Sequence, residues 1–137
     1  MQPDQTTAWS PVDEVVAATK LEIPALRAGL VAREDLVRTL VGNPLARLTL
    51  VSAPAGSGKT TLVAQWHASP DEDRRFAWLS LDPEDSDPVH FMYHLLASLQ
   101  SVEPGVGRAP VSLLGSVRMP GPTDLMALLL NEIAAQT

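Results

Sequence analysis

The stretch SAPAGSGKTT, residues 52–61, lies between two apolar runs and decides how the chain is interpreted. Residues 53–60 match the phosphate-loop pattern G-x-x-x-x-G-K-[ST], except that Ala53 stands in place of the first glycine. Gly56 and Gly58 allow backbone conformations in which successive N–H groups point into one concavity. A helix that follows presents its own unpaired N–H groups to the same place. The stretch therefore predicts an anion-binding loop between a strand and a helix.

The residues of the loop have distinct expected roles. Lys59 is placed to reach the β- and γ-phosphates of a nucleotide, Thr60 to give its hydroxyl to Mg²⁺, and Thr61 to meet the α-phosphate. The other predicted nucleotide-binding positions are Ala53, Pro54, Ala55, Gly56, Ser57 and Gly58. The alternative is a glycine-serine turn that happens to precede a lysine. A strand before the loop and a helix after it favour the phosphate loop, with ATP or ADP and Mg²⁺ as ligands.

The hydrophobic periodicity predicts strands alternating with helices. The runs Arg47–Ser52 and Arg75–Leu81 have the length and composition of buried strands. Two short helices are expected between Pro24 and Val41, with a break at Gly29 and the second at Arg33–Val41. Further helices are expected from Lys59 onward, from Pro88 with Asp87 as its cap, around Val111–Val117, and at Thr123–Ala135. The helix from Pro88 carries an apolar stripe of Phe91, Leu95, Leu99 and Val102. This order indicates an α/β domain.

Composition limits the class of protein. The 137 residues are 45% hydrophobic and 19% charged, which is typical of one globular domain or part of one. Residues 1–20 are rich in Gln, Thr, Asp and Pro and predict a flexible arm before the domain. A net charge of −6 makes this segment a poor nucleic-acid binder. Without cysteine, a secretory leader or a long apolar run, the chain is expected in the cytoplasm and not in a membrane.

Several other groups of residues could carry chemistry. Asp82, Asp85 and Asp87 could hold a metal or supply a general base, or form a solvated acidic turn that caps a helix. His90 and His94 are spaced to clamp zinc from one helical face, but no third ligand at a convincing spacing joins them, which favours solvated or packed histidines. The aromatic residues that could stack on bases, but fit core packing better, are Trp66, Trp78, Phe91 and Tyr93.

Four segments together resemble a known family. They are TKLEIPALRAGLVAREDLVRTL, LTLVSAPAGSGKTTLVAQW, AWLSLDPEDSDPVHFMYHLLASL and LMALLLNEIAA. They are similar to the start of the large LuxR-family transcription regulators of the MalT type, whose ATPase module belongs to the STAND class of signalling NTPases. The likeness runs from about Thr19 to the last residue. It implies an AAA-like P-loop NTPase fold, a three-layer αβα arrangement with a parallel sheet, of which residues 21–137 form only the N-terminal portion.

The resemblance also implies a role for the segment before the loop. In that class, two hydrophobic residues, glycine, arginine and an acid help to form the base and sugar side of the nucleotide site. Residues 30–34, LVARE, match this motif with Ala32 in place of the glycine. Arg33 and Glu34 are therefore expected at the nucleotide. From the residues alone, Arg33-Glu34-Asp35 is also an ordinary helix start.

The expected function is an ATP-binding regulatory switch. The resemblance implies that an acid-bearing strand, the sensors and a C-terminal helix-turn-helix follow in sequence after this chain. In the sheet, that acid-bearing strand would lie between the two predicted strands. We therefore expect no catalytic residue here, slow ATPase activity only within a longer protein, DNA contact only through an absent C-terminal domain, and self-association of the longer protein on activation. The alternative is a P-loop small-molecule kinase or hydrolase with Asp82 as base. More than forty residues before the first predicted strand favour the switch.

Overall fold

A computed structural model describes residues 18–114, 116, 118 and 120–135. Residues 1–17 of the predicted N-terminal arm lie outside this range, and Ala18–Lys20 form a short 3-10 helix. The chain divides into two compact units. The loop unit comprises residues 23–76. The helical unit comprises residues 18–22 and the described residues between 77 and 135.

The loop unit contains helices α1 (Glu34–Val41) and α2 (Lys59–His67), which pack against each other. Both confirm predicted helices, whereas the short helix predicted between Pro24 and Gly29 is wrong, since residues 24–30 contain no helix. The turn at Asn43-Pro44 follows α1, since proline disfavours the α conformation in the residue before it. Leu62 and Ala64 are the buried residues of α2. The phosphate-loop sequence therefore leads directly into a helix that is anchored by its own apolar side chains.

The helical unit contains α3 (Pro88–Val102), α4 (Arg108–Leu113) and α5 (Pro122–Ala135). The carboxylate of Asp87 accepts from the N–H groups of Val89 and His90, at 2.9 Å each, which confirms the predicted cap of α3. The buried core of this unit consists of Met92, Leu96, Val106, Leu114, Leu125 and Leu129. The apolar sides of α3 and α5 meet in this core.

The predicted parallel sheet, and with it the three-layer αβα fold, is wrong for the residues that the structure describes. They contain helices and turns and no strand. Leu48 and Leu50, expected inside a buried strand, are 86% and 85% exposed. A strand needs a ladder partner for its backbone groups. Among the described residues the run 47–52 forms no ladder, and in the run 75–81 the N–H of Ser80 bonds to the carbonyl of Lys20 without forming one. An apolar composition alone does not decide between a paired strand and a segment without a ladder partner.

The packing of α3 differs from the predicted stripe by one residue. Met92 and Leu96 are 1% and 0% exposed, while Phe91, Leu95 and Leu99 are only partly buried. A second buried pair, His94 and Ser98, lies on a neighbouring side of the helix. The buried side of α3 differs from the predicted stripe because two polar side chains are buried as well. His94 pairs with Asp85, and the hydroxyl of Ser98 donates to the carbonyl of Trp78. Helix α4 begins at Arg108, three residues before the predicted start, and residues 115 and 117 lie outside the described range.

Candidate phosphate-binding loop

The predicted phosphate loop leads into the N-terminus of helix α2, which is capped by a glycine. Gly56 and Gly58 have φ angles of 75° and 82°, in the region that glycine adopts readily and other residues avoid. Gly58 is the N-cap of α2, and no side chain caps this helix. The first of its backbone bonds runs from the N–H of Leu62 to the carbonyl of Gly58, at 2.9 Å. The N–H groups of the first turn precede that bond and are available to an anion.

The ammonium group of Lys59 lies over the loop. Its Nζ donates to the carbonyl oxygens of Ala53 at 2.7 Å and Pro54 at 2.9 Å. These bonds use two of its three donors and hold the positive charge beside the loop backbone. They also explain why alanine is compatible with position 53. Ala53 contributes its carbonyl, which every residue has, and its φ is not positive.

Ser57 and the two threonines complete the loop. The N–H of Ser57 donates to the carbonyl of Pro54 at 3.3 Å, closing a turn. Its Oγ is buried and has no hydrogen-bond partner among the described residues. A buried hydroxyl without a partner is uncommon and marks a place where a ligand atom or water is expected. Thr60 is exposed and Thr61 is half-buried in the first turn of α2.

Arg33 contacts the loop directly, and Glu34 lies beside it at the start of α1. Nη2 of Arg33 donates to the carbonyl of Ser57 at 2.9 Å. The cavities that Arg33 lines include two open ones, of about 310 Å³ and about 460 Å³. The smaller is also lined by Ser57, Gly58 and Lys59, and the larger by Glu34. The structure thus brings Arg33, from the segment before α1, into contact with the predicted phosphate loop.

Another helix start in the same chain shows how such an end holds an anion. Gly107 is the N-cap of α4 with φ 76°, close to the 82° of Gly58. There the carboxylate of Glu132 accepts from the N–H of Gly107 at 2.6 Å and from that of Ala109 at 2.7 Å. The start of α4 is therefore occupied by an internal carboxylate. The start of α2 has the same type of glycine cap and no side-chain acceptor.

The acidic cluster is an ion-pair network that sequence reasoning missed. Nζ of Lys20 lies 2.8 Å from Asp82 and 2.9 Å from Asp85, and the buried Asp85 also pairs with Nδ1 of His94. Hydrogen bonds from Lys20 and from the N–H of Asp82 lower the pKa of Asp85 to about 2, and Lys20 lowers that of Asp82. Asp82 also accepts from the N–H of Glu84 and so caps the short 3-10 helix Pro83–Ser86. No sequence motif linked Lys20 to these residues.

His90 and His94 lie in different environments. His94 is 7% exposed and bonded to Asp85, whereas His90 is exposed. Within the described ranges, no group of three or more His, Cys, Asp or Glu residues could hold a metal ion. The two side chains therefore have different environments although they share one helix.

The aromatic residues are divided between the units. Trp66 of the loop unit packs edge-to-face on Phe76 at 5.0 Å, with the guanidinium of Arg74 5.1 Å from its ring. Arg74 also lowers the pKa of Glu72 to about 2. Trp78 belongs to the helical unit, and its Nε1 donates to Ser80 at 2.9 Å. Trp66 and Trp78 therefore have separate local partners within their units.

Among the residues that the structure describes, no helix combines the length and the apolar character needed to cross a bilayer.

Comparison with known proteins shows similarity to two transcriptional regulators. The chain is 42% identical over 87 residues to the HTH-type transcriptional regulator MalT of Serratia proteamaculans, covering 64% of this chain and 9% of that protein. It is 35% identical over 117 residues to the HTH-type transcriptional regulator MalT of Cronobacter sakazakii, covering 85% of this chain and 13% of that protein. No family model and no solved structure matches the chain. The chain is therefore similar to a small part of two transcriptional regulators.

Proposed function

We propose that this chain is a nucleotide-binding regulatory segment of a MalT-like transcriptional regulator, with ATP or ADP and Mg²⁺ as its ligands. The observation that carries the proposal is the start of α2. There a left-handed Gly58 begins a helix without a side-chain cap, and the ammonium of Lys59 lies over the loop. Backbone N–H groups and a positive charge at one helix end are the elements that recognise a polyphosphate.

The loop residues divide the binding between them. Lys59 supplies the charge for the β- and γ-phosphates, and Thr60, whose side chain is exposed at the helix start, supplies a hydroxyl for Mg²⁺. Thr61 contacts the α-phosphate. The backbone from Ala53 to Gly58 surrounds the phosphates, and Arg33 with Glu34 borders the nucleotide. Support for the last point is the bond from Arg33 to the carbonyl of Ser57.

The regulatory part of the proposal rests on the two relatives, whose names identify them as HTH-type transcriptional regulators. The chain spans only 9% and 13% of their lengths, so DNA contact is assigned to another part of a longer protein. The net charge of −6 supports that assignment, because DNA binding needs clustered positive charge. Bound nucleotide then acts as a signal within the cytoplasmic regulator and controls its self-association.

The kinase or hydrolase alternative is weaker. It needs Asp82 as a general base, and Asp82 already binds Lys20 and caps a turn. The lowered pKa of Asp82 also makes its carboxylate a poor proton acceptor near neutral pH. No observation in the described residues favours this role over the structural one.

Calorimetric titration of the 137-residue chain with Mg·ATP tests the proposal. Lys59→Ala is expected to weaken binding by roughly tenfold or more, because one charge-assisted contact is lost. Lys59→Met, which keeps most of the side-chain length, should behave in the same way if Lys59→Ala folds poorly. Arg27→Ala removes one exposed positive charge elsewhere in the loop unit and should bind like the wild type. Equal affinities for all four proteins would contradict the assignment of the loop.

Phosphate release separates the switch from the enzyme alternative. With Mg·ATP, the wild-type chain is expected to release phosphate no faster than Lys59→Ala, since hydrolysis requires further groups that hold Mg²⁺ and orient water. Turnover well above the Lys59→Ala control that is lost in Asp82→Asn would favour the kinase or hydrolase.

A further inference from the structure

Gln65, on the second turn of α2, holds the segment before α1 with both ends of its carboxamide. Its Oε1 accepts from the backbone N–H of Arg33 at 3.2 Å. Its Nε2 donates to the backbone carbonyl of Val31 at 2.9 Å. A side-chain amide that binds a donor and an acceptor two residues apart fixes both the position and the direction of that backbone.

The side chain of Arg33 extends from this fixed backbone to the phosphate loop. Its Nη2 donates to the carbonyl of Ser57 at 2.9 Å, and it would lie 3.6 Å from a Cβ placed at Gly58. Gln65, Arg33 and Ser57 therefore form a continuous chain of hydrogen bonds. It runs from the middle of α2 back to the loop that starts this helix.

The bond to Ser57 has a consequence for the next amide. In a trans peptide the C=O and the N–H point in opposite directions within one plane. When Arg33 holds the carbonyl of Ser57, the N–H of Gly58 is directed away from Arg33. Because Gly58 has great conformational freedom, this peptide plane would otherwise rotate more easily than its neighbours.

We propose that Gln65 is a positioning residue for the phosphate loop, acting through Arg33 to set the direction of the peptide between Ser57 and Gly58. The inference rests on the proposed function, in which these N–H groups bind phosphate. Gln65 itself does not contact the nucleotide in this account. Its role is to keep the loop in the binding conformation before the nucleotide arrives.

Hydrogen exchange of the nucleotide-free chain tests the positioning role without any ligand. Gln65→Met removes both hydrogen bonds while keeping a similar side-chain length. It is expected to speed exchange of the amides of Ser57 and Leu62, which donate to the carbonyls of Pro54 and Gly58, by about 3–10-fold. Arg33→Ala should have the same effect, because each variant opens the same contact. Gln100→Met is the matched control. It removes a bond of 3.0 Å from Nε2 to the carbonyl of Val106, in the helical unit, and should leave the loop unchanged.

Mg·ATP affinity then tests the connection through Arg33. Gln65→Met should weaken binding about 2–10-fold, and the double variant Arg33→Ala/Gln65→Met should bind no worse than Arg33→Ala alone. Faster exchange confined to residues 31–33, or additive losses of affinity, would overturn the positioning role. Failure of the wild-type chain to bind Mg·ATP would instead contradict the proposed function, and the exchange measurement would still decide the role of Gln65.

Discussion

Gly58 and Gly107 begin helices α2 and α4 in nearly the same left-handed conformation, with φ angles of 82° and 76°. At Gly107 the carboxylate of Glu132 accepts two of the backbone N–H groups. At Gly58 no side chain caps the helix, and a lysine follows at once. One chain thus contains a helix start closed by its own anion and another with the polarity to receive an anion from outside.

Gly107→Ala should destabilise the helical unit by about 2–4 kcal/mol. A Cβ at this position would lie 2.6 Å from Cδ2 of Leu96, which is fully buried, and the left-handed backbone adds strain. Gly29→Ala is the control, because Gly29 has a similar positive φ, 82° against 76° at Gly107, and nothing within 4 Å of its Cβ position. Thermal unfolding followed by circular dichroism should show a much larger loss for Gly107→Ala. Equal losses would show that the crowding by Leu96 has no effect.

Glu132→Gln should destabilise the helical unit by about 1–2 kcal/mol. One carboxylate oxygen becomes an NH₂ group, which cannot accept from the N–H of Gly107 or Ala109, so one backbone donor loses its partner. Urea unfolding measures the loss. Asn131→Asp, next to it on α5 and exposed, is the control for a polar substitution on this helix. A stability unchanged in Glu132→Gln would mean that the carboxylate does not cap α4 in solution.

Lowering the pH should reduce the stability of the helical unit, because Asp85 becomes protonated. Its pKa is lowered to about 2 from an ordinary value of 3.8, first by Lys20. A carboxylate with a lowered pKa contributes stability that is complete above the ordinary value and is lost as the pH falls through the lowered one. Asp85→Asn should therefore be less stable than the wild type at pH 6, and the difference should shrink between about pH 4 and pH 2.

Thermal unfolding across this pH range measures the effect of Asp85→Asn. Asp73→Asn changes an exposed carboxyl in the loop unit and should track the wild type throughout. A difference between Asp85→Asn and the wild type that stays constant from pH 6 to pH 2 would show that the network with Lys20 and His94 does not hold Asp85 ionised.

The exposed leucines of the run 47–52 should promote self-association of the chain. Leu48 and Leu50 are 86% and 85% exposed on a segment without a strand partner, and such segments template pairing with other chains. Leu48→Lys/Leu50→Lys should weaken association about tenfold or more in sedimentation experiments. Leu130→Lys, at a leucine that is 57% exposed on α5, is the control. Identical concentration dependence in all three proteins would contradict this role.

The helices were predictable because their signals are local. Asp87 caps α3 through its own neighbours, and the positions of Leu125 and Leu129 on α5 follow from helical spacing. The absence of a sheet from the described residues was not predictable in this way. The run 47–52 has the composition of a buried strand, but whether it becomes one depends on a partner that no residue in the run can specify.

The candidate site shows the same division. Gly56, Gly58 and Lys59 follow a local pattern, and in the structure the two glycines have positive φ and Lys59 bonds back to the loop backbone. The contacts of Gln65 with Val31 and Arg33 span more than thirty residues, and no periodicity indicates them. The ion pair of Lys20 with Asp85 is a contact of the same kind, made across 65 residues.

The most direct test of the phosphate loop uses the lysines of the chain, Lys20 and Lys59. Amine labelling followed by mass spectrometry reports the reactivity of each with and without Mg·ATP. Lys59 should be protected when nucleotide covers its ammonium group, while Lys20, which binds Asp82 and Asp85, should react at an unchanged rate. Protection of Lys59 alone is the result that this account predicts. No protection at saturating Mg·ATP, or equal protection of both lysines, would contradict nucleotide binding at residues 52–61.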